Sequence, residues 1–148
     1  MTTPQIIAHR GASYLAPENT LVAFRKAMEI GADGVEMDVQ KTYDNELVIH
    51  HDYMVDMHTD ISGQIYDLTM GELKALDFGS WKDAIYANER IATLQEALEL
   101  CAGMEGTQVQ LDDGTQLDLG AVAKGYAGQR CADALEDQGV AAILTLGG

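Results

Sequence analysis

Positive charge is scarce in this chain. Nine Lys and Arg stand against 24 Asp and Glu in 148 residues, a formal charge of −15. So acidic a surface argues against electrostatic binding of nucleic acid or of anionic membranes. A single cation in one pocket can still admit a phosphate there, because the local ion decides the local field. No apolar run reaches the roughly 18 residues of a membrane span, so no membrane insertion is expected. The N-terminus, MTTPQIIAHRG, lacks the basic start and apolar stretch of a secretion signal, which points to a cytoplasmic location. Cysteine is scarce: Cys101 and Cys131 lack zinc-ligand spacing and read as two buried thiols.

With 47% hydrophobic and 22% charged residues, the chain can bury a core. Gln5–His9 reads as a short strand that breaks at Arg10-Gly11. Leu21, Phe24, Met28 and Ile30 share roughly one helical face, and Gly31 stops that helix. Gly34–Gln40 alternates: Val35, Met37 and Val39 face one way, Glu36, Asp38 and Gln40 the other. Strand, helix, strand is a βαβ unit and implies the α/β class. Further along come a turn at Thr42–Glu46, an extended run at Leu47–His51, a short helix at Thr69–Leu76 and a capping box, Thr93 with Glu96, opening a helix to Cys101. Thr107–Leu111 reads as a strand, and Asp113-Gly114 as a hairpin turn to Gln116–Leu119. Gly120–Gln138 is helical and Val140–Leu146 is an apolar strand before Gly147-Gly148, so the chain looks cut short. A closed eight-stranded β/α barrel needs roughly 250 residues. The expectation is therefore a partial TIM-type β/α barrel, its first strands and helices, with a C-terminal hairpin, helix and strand.

All four histidines lie in the first 58 residues, and eight acidic residues with one basic one, Lys41, fall between Asp33 and Asp60. Glu36 and Asp38 stand out, because two carboxylates on one face of a covered strand repel and resist desolvation. A divalent cation would remove both problems, and oxygen ligands suit magnesium, calcium or manganese. His9 and Arg10 end the preceding strand and can reach the same crevice. Arg10 can clamp a phosphate, and His51, beside Asp52, can move a proton. Two imidazoles, an arginine and a cation suit chemistry at a phosphodiester.

His9-Arg10-Gly11, Pro17-Glu18-Asn19-Thr20, Gly31-Ala32-Asp33, Glu36-Met37-Asp38-Val39, Thr42 with Asp44 and His51-Asp52 resemble, in order and spacing, the signature of the glycerophosphodiester phosphodiesterase family. The likeness covers about residues 5–102. It implies a β/α barrel that hydrolyses glycerophosphodiesters to an alcohol and glycerol 3-phosphate. His9 and His51 would be acid and base, Arg10 the phosphate ligand, and Glu36 and Asp38 the ligands of magnesium or calcium. It further implies that a substrate glycerol hydroxyl attacks phosphorus first, giving a cyclic phosphate that water opens. Two departures are plain: Met57-His58-Thr59 replaces an Arg-Thr-Thr-like run, and Gln110 falls where members carry a third carboxylate ligand.

From about Thr107, Asp118-Leu119-Gly120, Ala123-Lys124-Gly125-Tyr126-Ala127, Gly139-Val140 and Gly147-Gly148 resemble the FAD:protein FMN transferase family. The two likenesses together read as a chimera of residues 1–103 and 104–148. The second implies a flavin-transfer alternative, with FAD as cofactor and Asp118 and Lys124 as site residues. A third reading is a non-catalytic fragment that self-associates through an open sheet edge at Val140–Leu146.

Overall fold

The computed structural model describes residues 4–102, 104, 108–111 and 144–146. Strands β1 (Ile7–His9) and β2 (Gly34–Lys41) are parallel neighbours joined by helix α1 (Leu21–Glu29), as the βαβ pattern predicts. Thr20 caps α1, its hydroxyl accepting from the Ala23 N–H at 3.3 Å, and Gly31 leaves the helix at φ +83°. The helix does not present the face expected from Leu21, Phe24, Met28 and Ile30. Ala23, Phe24 and Ala27 are its buried residues, while Met28 and Ile30 are 38% and 62% exposed. Part of the buried face meets the turn after β1. Gly11 at φ +79° lies so close to α1 that a Cβ there would sit 2.8 Å from the Ala23 carbonyl carbon. Such a Cβ would also meet the Phe24 ring at 2.9 Å, so only glycine fits at position 11.

A turn over residues 42–46, with Asn45 at φ +66°, returns the chain into β3 (Leu47–Ile49), antiparallel to β2. The excursion that follows packs Val48, Val55, Ile65, Leu73, Phe78 and Ile91 into a small core of its own. Helices α2 (Met70–Ala75) and α3 (Leu94–Cys101) both open with complete capping boxes, Thr69 with Glu72 and Thr93 with Glu96. The main core lies between α1, α3 and one face of β2, where Val35, Met37 and Val39 are fully buried against Phe24, Ala27, Ala97 and Leu98. Cys101 is buried in the same core, which pushes its thiol up to about 11.

Strands β4 (Gln108–Leu111) and β5 (Leu144–Leu146) extend the sheet in parallel, in the order β1-β2-β4-β5, with β3 also on β2. The fold is a partial β/α barrel, as expected. The predicted strand at 140–146 is described only over 144–146. The hairpin partner at 116–119, the helix at 120–138, Cys131, Asp118 and Lys124 lie outside the described residues. Among the described residues no helix is long and apolar enough to cross a membrane.

Pairing around β2 fixes where the strand ends meet. Glu36 pairs with His9 on one edge and with Gln108 on the other. Val39 pairs with Ile49 and with Leu111, so β4 takes one edge while β1 and β3 share the opposite one. β1 and β3 run toward each other along that edge and stop short. His9 arrives beside Glu36, and the His50 N–H donates to the Asp38 carbonyl at 2.9 Å.

Candidate functional site

Two loops therefore leave the sheet at one point, Arg10-Gly11 from one direction and His50-His51-Asp52 from the other. Between them the polar face of β2 supplies Glu36, Asp38 and Gln40, at 8%, 3% and 3% exposure. Apolar residues hold the opposite face, so a strand of period two has no choice but to bury its carboxylates on this side.

The carboxylates are incompletely compensated. The Arg10 backbone N–H donates to Glu36 Oε2 at 3.1 Å, and His9 Nε2 lies 3.8 Å from the same oxygen. Glu36 Oε1 is buried without a hydrogen-bond partner. Burial, then the Asp38 charge, raises the Glu36 carboxyl above the usual carboxylate range, against the pull of Arg10 and His9. Asp38 is better held. Its Oδ2 accepts from Asn19 Nδ2 at 2.8 Å and lies 3.2 Å from Arg10 Nε. Arg10 also donates from a terminal guanidinium nitrogen to Glu18 Oε1 at 2.9 Å. Arg10 and Asn19 take left-handed backbone angles, φ +56° and +55°, and are linked by an Asn19 N–H to Arg10 carbonyl bond of 3.0 Å. Such angles disfavour side-chain-bearing residues and are held here by surrounding contacts.

On the other loop, His51 Nδ1 lies 2.8 Å from Asp52 Oδ1. Burial would raise Asp52, but the His51 hydrogen bond and the neighbouring imidazoles outweigh it and hold the carboxylate below its ordinary range. An ionised Asp52 can only accept, so Nδ1 is the protonated nitrogen. His50 is buried, with Nδ1 2.8 Å from the Asp52 carbonyl and Nε2 3.2 Å from His58 Nδ1. Burial and then His58 push His50 down to about 4, and burial lowers His58 as well. A small cavity beside these groups is lined by Glu18, Asn19, His50, His51, His58 and Trp81.

The structure thus brings His9, Arg10, Glu36 and Asp38 into contact and sets the His51 loop against Asp38. Sequence reasoning missed Asn19, Glu18, Gln40, His50 and His58 as parts of the site. Glu18 and Asn19 belong to the Pro17–Thr20 motif, which carried the signal without a role. Among the described residues no group of three or more His, Cys, Asp and Glu converges on a ready cation cage. Glu36 and Asp38 still fit a cation, because an orphaned, buried carboxylate oxygen beside a second carboxylate is what an oxygen-coordinated ion would satisfy. Gln110 is the register partner of Asp38 on β4, the position where a third ligand is expected.

Residues 9–114 match the profile described as the glycerophosphoryl diester phosphodiesterase family, running across the junction read at 103–104. A glycerophosphodiester phosphodiesterase of Caldanaerobacter subterraneus is 52% identical over 95 residues, 64% of this chain and 39% of that protein. The rat glycerophosphodiester phosphodiesterase 1 is 45% identical over 97 residues, 64% of this chain and 29% of that protein. Among solved structures, an Oleispira antarctica phosphodiesterase in complex with the product sn-glycerol-3-phosphate superposes with a TM-score of 0.79 at 35% identity, covering 95% of this chain and 56% of that one. A glycerophosphodiester phosphodiesterase of Agrobacterium tumefaciens gives 0.81 at 26% identity, covering 97% and 59%. The chain spans about two fifths of the first of these curated relatives. None of these four proteins is a flavin transferase, and the family match gives no support to a chimera joined at 103–104.

Proposed function

Since the chain belongs to the glycerophosphoryl diester phosphodiesterase family, we propose that this crevice hydrolyses glycerophosphodiesters to an alcohol and glycerol 3-phosphate. The observation that carries the reading is the buried Glu36–Asp38 pair, with its orphaned Glu36 Oε1 and its flanking arginine. Evolution of a protein core for stability alone would remove such a pair; a charged ligand between two strand ends accounts for it.

Glu36 and Asp38 would hold a divalent cation, magnesium or calcium. When bound, that ion supplies charge stabilisation at phosphoryl oxygens and orients a substrate hydroxyl. Arg10 binds the phosphate. Its guanidinium is already held between Asp38 and Glu18, so it is oriented before substrate arrives. Asp52 holds the His51 ring through Nδ1, and His51 takes the proton from the attacking hydroxyl. His9, with its side chain 70% exposed at the mouth of the crevice, gives the proton to the departing alkoxide. The roles exchange when water opens the product of the first step.

Calorimetric titration with calcium and magnesium, on the parent and on Asp38→Ala, alongside an assay with glycerophosphocholine, tests the reading. Binding by the parent and its loss in the variant are expected. Equal binding in both would overturn the cation site.

A further inference from the structure

Gln40 shares the inner face of β2 with Glu36 and Asp38, and neither the cation nor the acid–base chemistry uses it. It is 3% exposed. Its Nε2 donates toward three successive backbone carbonyls, those of His50 at 3.0 Å, His51 at 2.8 Å and Asp52 at 2.8 Å. In extended chain, successive carbonyls point to opposite sides. Aiming three of them at one point requires the backbone to curl, and their negative ends then repel. A donor at the focus offsets that repulsion. An amide NH2 has two hydrogens, so three carbonyls share them.

The curl decides where the His51 ring stands. Asp52 is the next residue in the chain, so the His51–Asp52 bond orients the ring within the turn. The turn itself is tied to β2 by the Gln40 amide and by the His50 N–H on the Asp38 carbonyl. The Asp52 carbonyl also receives His50 Nδ1, so one oxygen joins Gln40 to the buried imidazole pair.

We infer that Gln40 is a positioning residue for His51, its amide clamping the 50–52 carbonyls and so fixing where the backbone that carries the histidine leaves β2. The inference rests on the assignment of His51 as an acid–base group. Nothing in the chemistry at Glu36 and Asp38 requires the amide, so cation affinity and histidine placement are separable.

The test reads three quantities. In ¹³C,¹⁵N-labelled parent, couplings across the hydrogen bonds between the Gln40 side-chain nitrogen and the carbonyl carbons of residues 50–52 report the clamp without any variant. Imidazole ¹⁵N shifts, assigned with His51→Ala, report the tautomer of His51. Hydrolysis of glycerophosphocholine reports kcat and KM. Gln40→Met keeps the volume and loses the donor; Gln40→Glu keeps the shape and sets a carboxylate against the carbonyls. Expected are visible couplings and a single Nδ1-protonated His51 in the parent. Both variants should show mixed tautomers and a kcat lower by about 10- to 100-fold, with KM and cation affinity nearly unchanged. Absent couplings in the parent overturn the inference, as does a single His51 tautomer with unchanged kcat in either variant. A parent that does not hydrolyse the diester sinks the proposed activity, while the couplings and the tautomer still decide the role of Gln40.

Discussion

Replacing Glu36 by Gln should stabilise the cation-free protein while abolishing its response to divalent cations. Two charges on alternate residues of one strand face lie roughly 7 Å apart, which at an effective dielectric of about 20 is a repulsion of about 2 kcal/mol. Arg10, 3.2 Å from Asp38, offsets part of it. The orphaned Glu36 Oε1 adds a desolvation penalty of about 1–3 kcal/mol. The amide keeps an oxygen for the Arg10 N–H and carries no charge; its NH2 takes the orphaned position, where a neutral group costs less than a carboxylate, so the gain comes from the lost charge. A net gain of about 1–2 kcal/mol follows, or roughly 3–8 °C in Tm for a chain of this size. The pH dependence has a definite sign. Glu36 is raised in the folded state, so the folded protein holds its proton more tightly than the unfolded chain. Its contribution is fully present below the ordinary carboxylate range and is lost as pH rises through the raised value. The parent should lose stability across that interval, and Glu36→Gln should not. Thermal unfolding in chelator from pH 4 to 8, repeated with millimolar calcium or magnesium, separates the terms. A variant less stable than the parent at pH 7 in chelator would refute the reasoning, as would an equal rise in Tm with cation in both proteins.

Gly11→Ala should lower stability by about 2 kcal/mol or more in denaturant unfolding, since it meets both a φ of +79° and a contact of 2.8 Å with the Ala23 backbone. His50 is held neutral down to about 4 while an unfolded histidine protonates near 6.5, so stability should fall by roughly 3 kcal/mol as pH drops across that window. His50→Gln should flatten that slope, and an unchanged slope would reassign it. Gln110→Glu should tighten calcium or magnesium in calorimetric titration, because the residue stands in register with Asp38.

What was legible in the sequence was what depends on near neighbours. The alternation of β2 is a period-two pattern, and both capping boxes are Thr and Glu at fixed spacing, so each is visible without tertiary information. The buried face of α1 was not. Its apolar count favoured Met28 and Ile30, but the buried side is Ala23, Phe24 and Ala27, and the packing that selects it, the Gly11 turn against Ala23 and Phe24 included, exists only once the chain is folded. The same limit applies at the site. Glu36, Asp38 and Arg10 announce themselves as charges in a strand and at its neighbour's end. Gln40, His50 and Asn19 act through backbone carbonyls or a partner 19 residues away, and an amide in a strand carries no sign of which carbonyls it will meet.

β1 and β3 end head to head on one edge of β2, and this, more than any one residue, makes the site. Either strand continued by two residues would pair the groups of residues 36–38 with sheet backbone and leave no room for loops there. The turn at Arg10-Gly11, with φ of +56° and +79°, stops β1. The curl at 50–52 stops β3. The first interruption carries left-handed backbone angles and the second brings three carbonyls together, and both are held by side chains: Asn19 bridges the first loop to Asp38, and Gln40 gathers the second. On the first loop, the residues that break the sheet, Arg10 and Asn19, are the same ones that hold Asp38. Loosening either loop should disturb the histidine it carries before it disturbs the apolar core behind β2, whose contacts lie on the opposite face of that strand.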